Sequence, residues 1–102
     1  LVLVLGHGHC GAVKAAVDDV KLGNITAMLQ KIRPAVGVVD YAGDRTSKNA
    51  KFVQMVCESN VRYTIEQIRR NSPILKGMED RGEIKIAGAV YDMDDGTVGW
   101  LD

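Results

Sequence analysis

The first twelve residues, Leu1-Val2-Leu3-Val4-Leu5-Gly6-His7-Gly8-His9-Cys10-Gly11-Ala12, join an apolar run to a glycine-rich turn. Residues 1–5 are all Leu or Val, and an unbroken run of this kind is typical of a buried strand. Residues 6–11 then contain three glycines, two histidines and a cysteine, which indicates a turn. The segment therefore predicts a strand that ends at a turn with chemically active side chains.

A helix is predicted directly after this turn. Val13, Ala16, Val17 and Val20 recur at helical spacing. The resulting unit is strand, turn and helix, and open α/β sheets bind their ligands at the carboxyl ends of such strands. We therefore expect the functional site at residues 6–11.

One interpretation of the turn is a dinucleotide site. The residues Gly6-x-Gly8-x-x-Gly11 fit the G-x-G-x-x-G pattern between a strand and a helix. That site also needs an acid at the end of a second strand, usually about 20 residues further on. Asp40 ends a second apolar run, but it lies well beyond that spacing, and another amphipathic stretch intervenes. The dinucleotide hypothesis remains open, although the position of Asp40 fits the usual spacing only loosely.

The other interpretation is a metal site. His7, His9 and Cys10 fill the variable positions of the turn, and imidazole nitrogen and cysteine sulfur are zinc ligands. His7 and Cys10 lie three residues apart where the chain enters a helix, so they can converge on one ion. His9 is left out of the predicted ligand set, because it could equally be a proton carrier or a solvated turn residue. Ordinary turn residues remain an alternative for an isolated H-x-x-C.

Residues 4–16 resemble the second metal-ligand segment of the β-class carbonic anhydrases. The family pattern is a strand, Gly-His-x-x-Cys-Gly-(Gly/Ala)-(Val/Ile) and a helix. Later landmarks follow in the family's order, namely Asn60-Val61, Ser72-Pro73-Ile74-Leu75 and the closing segment 86–98. The resemblance thus covers nearly the whole chain.

The resemblance implies zinc held by one histidine and two cysteines, with one zinc per subunit in the complete protein. His7 and Cys10 match the histidine and the second cysteine. The first cysteine belongs to a Cys-x-Asp-x-Arg segment that does not occur in this sequence. The family's Asp/Arg pair is therefore missing as well, no catalytic residue is identified, and Asp44-Arg45 lacks the context to replace the pair.

The implied function is reversible hydration of carbon dioxide to bicarbonate and a proton, by zinc-hydroxide attack, in the complete protein. Carbonyl sulfide or carbon disulfide stays open as the substrate. The chain alone is expected to be inactive, and a homodimer or larger homo-oligomer is implied. The alternative from another class is a catalytically degenerate binding or scaffold domain that keeps the carbonic-anhydrase-like fold.

Composition excludes several other classes. Thirteen basic and thirteen acidic residues leave no net charge, so neither a nucleic-acid nor a membrane-surface partner is indicated. No apolar run is long enough to span a membrane. Two cysteines do not form a disulfide framework, which favours a reducing compartment such as the cytoplasm, with an organelle or the periplasm left open. The chain starts inside a strand without Met, so we expect residues 1–102 to be a single partial domain.

The remaining pattern predicts an α/β fold with a mainly parallel sheet, flanking helices and a C-terminal β-hairpin. Helices are predicted over residues 25–32, closed by Pro34, over 45–71 with a kink or break at 57–60, and from Ser72 to Gly77 or beyond. Residues 35–45 are predicted as loop. Strands are predicted over 84–91 and 97–101, joined by the turn Asp94-Asp95-Gly96.

The sequence also predicts the roles of several residues outside the turn. Cys57 lies between apolar positions of the long helix and is predicted to be a buried, inert thiol. Tyr91 and Trp100 lie at strand positions and are predicted to be core or subunit-contact residues. The hairpin aspartates are expected to bond to their own backbone and not to a metal.

Overall fold

The computed structural model describes residues 1–101, which form three strands and five helices. The strands are β1 (Val2–His7), β2 (Ile86–Tyr91) and β3 (Val98–Leu101). The helices are α1 (Gly11–Val17), α2 (Ile25–Gln30), α3 (Arg33–Gly37), α4 (Ala50–Asn71) and α5 (Pro73–Asp80). The prediction of an α/β fold with a C-terminal hairpin is confirmed.

The sheet is mixed, with strand order β1-β2-β3. β1 runs parallel to β2, in a register that pairs Val2 with Ile86 and His7 with Tyr91. β2 and β3 are antiparallel. The N–H of Gly8 donates to the carbonyl of Tyr91 at 3.0 Å, so the ladder continues one residue beyond β1. The turn after β1 therefore lies beside the β2–β3 hairpin.

Helix α4 lies directly on one face of β1 and β2. A Cβ placed on Gly88 would lie 2.7 Å from Val61 Cγ1, and one on Gly6 would lie 2.9 Å from Val61 Cγ2. Real Cβ atoms do not approach neighbours so closely, so both strands need glycine where the helix crosses them. Cys57, Val61 and Val90 are buried in this contact.

A second apolar core joins α1, α2 and α3 to the first half of α4. Leu29, Phe52 and Val56 are its largest fully buried side chains. The guanidinium of Arg45 lies 4.7 Å from the centre of the Phe52 ring. It also donates to the carbonyls of three residues that precede it, Val36, Val39 and Tyr41. Arg45 thus fastens the connection between α3 and α4 to the core.

The ends of α4 and α5 follow ordinary capping chemistry. Asn49 Oδ1 accepts from the Phe52 N–H at 3.4 Å, and Ser72 Oγ accepts from the Leu75 N–H at 3.2 Å. Pro73 stands in the first turn of α5, as predicted. No helix in residues 1–101 is both long enough and apolar enough to cross a membrane.

The prediction that β1 is buried is wrong for one of its faces. Leu1, Leu3 and Leu5 are 74%, 42% and 52% exposed, whereas Val2 and Val4 on the opposite face are less exposed. In residues 1–101, the helix that packs on the sheet, α4, lies on the Val4 side. An unbroken apolar run cannot indicate which face of a strand is covered. Tyr91 and Trp100, at 38% and 60% exposed, are likewise not core residues.

The predicted boundaries around Pro34 are wrong. Pro34 does not close a helix but lies in the first turn of α3, where its missing N–H would have no intrahelical partner. Residues 35–37 are therefore helical, and only the rest of the predicted loop is confirmed. The long helix begins at Ala50 and not at residue 45, because Asp44 accepts from the N–H and hydroxyl of Thr46 in a local turn.

The predicted interruption of the long helix is also wrong, since α4 is continuous from Ala50 to Asn71. Two of the side chains that suggested a break, Cys57 and Ser59, bond to other elements and do not compete with the backbone of α4. Ser59 Oγ donates to the carbonyl of Ala35 at 2.8 Å, and the Cys57 thiol donates to the carbonyl of His7.

Candidate metal centre

His7 is the last residue of β1 and its side chain is exposed. The ring Nδ1 lies 2.9 Å from the carbonyl oxygen of Gly8. Because a carbonyl can only accept, Nδ1 must carry the proton, and Nε2 keeps its lone pair. Metal-binding histidines are commonly held in this way, with one ring nitrogen bonded to a carbonyl and the other free for the ion.

Cys10 occupies the N-cap position of α1, with an extended backbone. Its carbonyl accepts from the Lys14 N–H at 3.0 Å and so begins the helix. Its side chain makes no capping hydrogen bond and is partly exposed. The thiol is therefore available to bind a metal.

The two predicted ligands both line one cleft of about 240 Å³. Its walls also include Asn60 and Thr64, two polar residues of α4, of which the sequence indicated only Asn60, as a landmark of the family resemblance. The other lining residues are Val4, Leu5, Gly6, Val13, Cys57 and Val61.

His7 and Cys10 fit zinc in the kind of donor they offer but not in number. Nitrogen and sulfur are donors that zinc prefers, yet a catalytic site uses three protein ligands. Within residues 1–101 there is no group of three or more His, Cys, Asp or Glu side chains that could hold a metal ion. A zinc site built on this pair needs another donor.

His9 is directed away from this cleft. Its backbone has a φ of 55°, and its Nε2 lies 3.1 Å from Asp94 Oδ2 in the β2–β3 hairpin. Both side chains are exposed. His9 therefore links the turn to the hairpin.

Two of the hairpin aspartates, Asp92 and Asp95, bond to the backbone of their own turn as predicted, whereas Asp94 bonds to His9. Asp92 Oδ1 accepts from the Asp94 N–H at 2.8 Å. Asp95 Oδ1 accepts from both the N–H and the hydroxyl of Thr97, and the bond from the hydroxyl is the main reason that the pKa of Asp95 lies below its ordinary value. These carboxylates stabilise the turn.

Cys57 is buried in α4, as predicted, but it is not isolated from the site. Its Sγ lies 3.3 Å from the carbonyl oxygen of His7. Burial raises the pKa of the Cys57 thiol, so it is a neutral donor at pH 7. The sequence gives one weak indication that Cys57 faces the site, because Cys57, Val61 and Thr64 recur at helical spacing and so lie on one face of α4.

The dinucleotide hypothesis fails on the fold. It requires a strand that ends at Asp40 beside β1, but residues 33–37 form α3 and Asp40 lies in the following loop. The strand that pairs with β1 in the described part of the chain is β2, from the other end of the sequence.

The fold and the turn together define an α/β protein with a histidine and a cysteine, both candidate metal ligands, at the carboxyl end of a strand. Residues 1–98 match the sequence profile of the family described as carbonic anhydrase. The chain therefore belongs to the carbonic anhydrase family, and the solved structures that it resembles are of the β class.

A carbonic anhydrase of Mycolicibacterium smegmatis is 30% identical over 104 aligned residues, which cover 96% of this chain and 47% of that protein. The β-carbonic anhydrase CafA of Aspergillus fumigatus superposes with a TM-score of 0.76 at 26% identity, over 99% of this chain and 48% of that one. A tetrameric β-carbonic anhydrase of Sordaria macrospora has a TM-score of 0.76 at 17% identity, over 97% and 50% of the two chains. The chain spans about half the length of the curated relatives it matches.

Proposed function

We propose that this chain supplies the histidine and one cysteine of a zinc site that catalyses the reversible hydration of carbon dioxide to bicarbonate and a proton. The observation that carries the proposal is the shared cleft at the end of β1, where His7 and Cys10 are both lining residues. Membership of the carbonic anhydrase family supports the same reaction.

His7 has the clearest role in this site. The hydrogen bond from Nδ1 to the carbonyl of Gly8 fixes both the tautomer and the plane of the ring, so Nε2 is presented to the ion. When bound, zinc acts as a Lewis acid that activates water at neutral pH. The apolar side chains of Val4, Val13 and Val61 suit a small uncharged substrate such as carbon dioxide.

The number of donors limits what this chain does by itself. Two protein ligands do not make a catalytic zinc site, which needs three and an open position. We therefore assign the third donor to residues outside those described, in the Cys-x-Asp-x-Arg segment that the family resemblance implies. The 102 residues alone are expected to be inactive.

We also propose that the protein assembles as a homodimer or larger homo-oligomer in a reducing compartment, the cytoplasm being our first choice. A structural relative from Sordaria macrospora is described as tetrameric. Leu3 and Leu5 leave an apolar sheet face exposed in the described residues, and such faces commonly form contacts between subunits. Cys10 and Cys57 are both free thiols, in keeping with reducing conditions.

The test is metal content and carbon dioxide hydration in the longest protein that the gene encodes. We expect about one zinc per subunit in the parent, and loss of both zinc and hydration in His7→Ala and Cys10→Ser. His9→Ala is the matched control and should keep its zinc, because His9 is bonded to Asp94. Full zinc and full activity in Cys10→Ser would contradict the ligand assignment.

One other function has an observation in its favour. The absence from residues 1–101 of any cluster of three or more potential metal ligands also suits a scaffold or binding domain that has lost catalytic metal. That alternative predicts neither zinc nor hydration in the longest encoded protein. Zinc bound there through His7 and Cys10 would exclude it.

A further inference from the structure

We propose that Cys57 is a positioning residue for His7, acting through a hydrogen bond from its thiol to the main-chain carbonyl of that residue. The inference rests on the proposed function, in which His7 is a zinc ligand. It gives a role in the site to a side chain that the sequence alone identified only as core.

The contact is direct and lies in the interior. Cys57 Sγ is 3.3 Å from the oxygen of His7, although the two residues are 50 positions apart in the chain. Cys57 is 4% exposed, so water has little access to replace the bond. Gly6 allows the approach, because a Cβ there would lie 3.1 Å from Cys57 Sγ.

The carbonyl that receives this bond lies outside the sheet ladder. The N–H groups of Val2 and Gly8 both donate to β2 or its flanking residue, so the even-numbered residues of β1 direct their main-chain groups towards β2. Successive residues of a strand alternate in direction, and the carbonyl of His7 therefore points away from β2. Within residues 1–101, the thiol satisfies an acceptor that the β1–β2 ladder does not use.

Two hydrogen bonds then hold the proposed ligand. The bond from Nδ1 to the Gly8 carbonyl orients the imidazole ring, and the bond from Cys57 fixes the peptide group between the ligand and Gly8. Removal of a partner that orients a ligand commonly costs about 10- to 100-fold in metal affinity. Since the thiol acts through the main chain, we expect a loss of roughly tenfold, at the lower end of that range.

The test compares three variants in the longest encoded protein. Cys57→Val removes the donor and keeps a buried apolar side chain, while Cys57→Ser retains a donor. Val56→Ala is the control, because Val56 is fully buried on α4 but belongs to the other core cluster. The measurements are the zinc dissociation constant from chelator competition and the visible absorption spectrum of the cobalt(II)-substituted protein.

We expect Cys57→Val to bind zinc roughly tenfold more weakly and to shift the cobalt bands. Cys57→Ser should behave as the parent, and Val56→Ala should lose stability while keeping the parent's affinity and spectrum. If Cys57→Val does not fold, Cys57→Ala removes the same donor with a smaller side chain. Parental affinity and bands in the donor-free variant would overturn the inference.

A readout without metal separates this inference from the proposed function. In the metal-free protein, the carbonyl ¹³C shift of His7 should change in Cys57→Val and stay constant in Val56→Ala. A changed shift with unchanged zinc affinity leaves the zinc site standing and overturns the positioning role alone. A parent that binds no zinc overturns both proposals, whatever the carbonyl shift.

Discussion

At the residue scale, His7 illustrates how a side chain becomes a candidate ligand. Its position at the end of β1 places the ring at the edge of the sheet, and the Gly8 carbonyl selects the tautomer. Cys10 contributes in a simpler way, since it stands at the start of α1 without a capping bond. Both properties arise from the backbone of one short turn.

The ionisation of Asp18 has a clear structural consequence. It follows α1, and its carboxylate accepts from the N–H of Ser47 at 2.9 Å and from the Ser47 hydroxyl. The hydroxyl bond is the main reason that the pKa of Asp18 lies below its ordinary value of 3.8. This pair joins the end of α1 to the segment that leads into α4.

We predict that protonation of Asp18 weakens this bond and so makes the protein less stable in acid. A carboxyl whose pKa is lower in the folded state stabilises fully above its unfolded value of 3.8 and loses that contribution as the pH falls through the folded value. Asp18→Asn should therefore reduce the acid-dependent fall in the free energy of unfolding below about pH 4. Urea titrations of both proteins from pH 2 to pH 7 measure this, and equal slopes would contradict it.

At the scale of elements, the packing of α4 on the sheet controls the candidate site. The helix carries Cys57, Asn60 and Thr64 into the cleft, and it can do so because Gly6 and Gly88 lack side chains. The bidentate bond between Arg69 and Glu79 lies near the other end of the helix, where it joins α4 to α5.

We predict that Gly88→Ala lowers the free energy of unfolding by about 1–3 kcal/mol. The added methyl would meet Val61 Cγ1 at 2.7 Å and Ile65 Cδ1 at 2.9 Å, so the helix must shift. Gly37→Ala is the matched control, because nothing lies within 4 Å of the added atom. Urea unfolding of the two variants measures the difference.

The double variant Gly88→Ala with Val61→Ala provides a second check on this contact. If crowding is the cause, the smaller side chain at position 61 should offset part of the loss from Gly88→Ala. If the losses of the two single variants simply add in the double variant, crowding against Val61 is not the cause of the loss in Gly88→Ala.

At the scale of the whole molecule, the open face of the sheet is the main apolar surface without a partner in residues 1–101. The register places Leu5, Ala89 and Trp100 side by side across three strands. Leu5 and Trp100 are 52% and 60% exposed. Exposed apolar sheet surfaces of this kind promote association.

We predict that this chain, expressed alone, self-associates through that face. Replacing Leu5 and Trp100 together by Thr should lower the apparent mass at micromolar concentration and reduce binding of an apolar dye. The stability should change little, because both side chains are exposed. Leu22→Thr, at an exposed loop position, is the control. Sedimentation equilibrium measures the outcome, and an unchanged mass in the double variant would contradict it.

The sequence by itself determined the turn, the order of most elements and the candidate ligand pair. These features depend on neighbours in the chain: the apolar run before Gly6, the spacing of His7 and Cys10, and the Ser72-Pro73 start of α5. Local interactions of this kind are specified by a few consecutive residues, so pattern and capping rules predict them. The predicted helix boundaries near Pro34 were wrong because proline occurs both in the first turn of a helix and just after its last turn.

The tertiary structure alone decided which face of β1 is covered, that α4 runs unbroken, and that Cys57 touches the main chain of His7. Each of these depends on residues far apart in the sequence meeting across the core. Cys57 and Ser59 bond to carbonyls of β1 and α3, which no local pattern can reveal. Short-range periodicity specifies an element, but long-range packing specifies what that element touches.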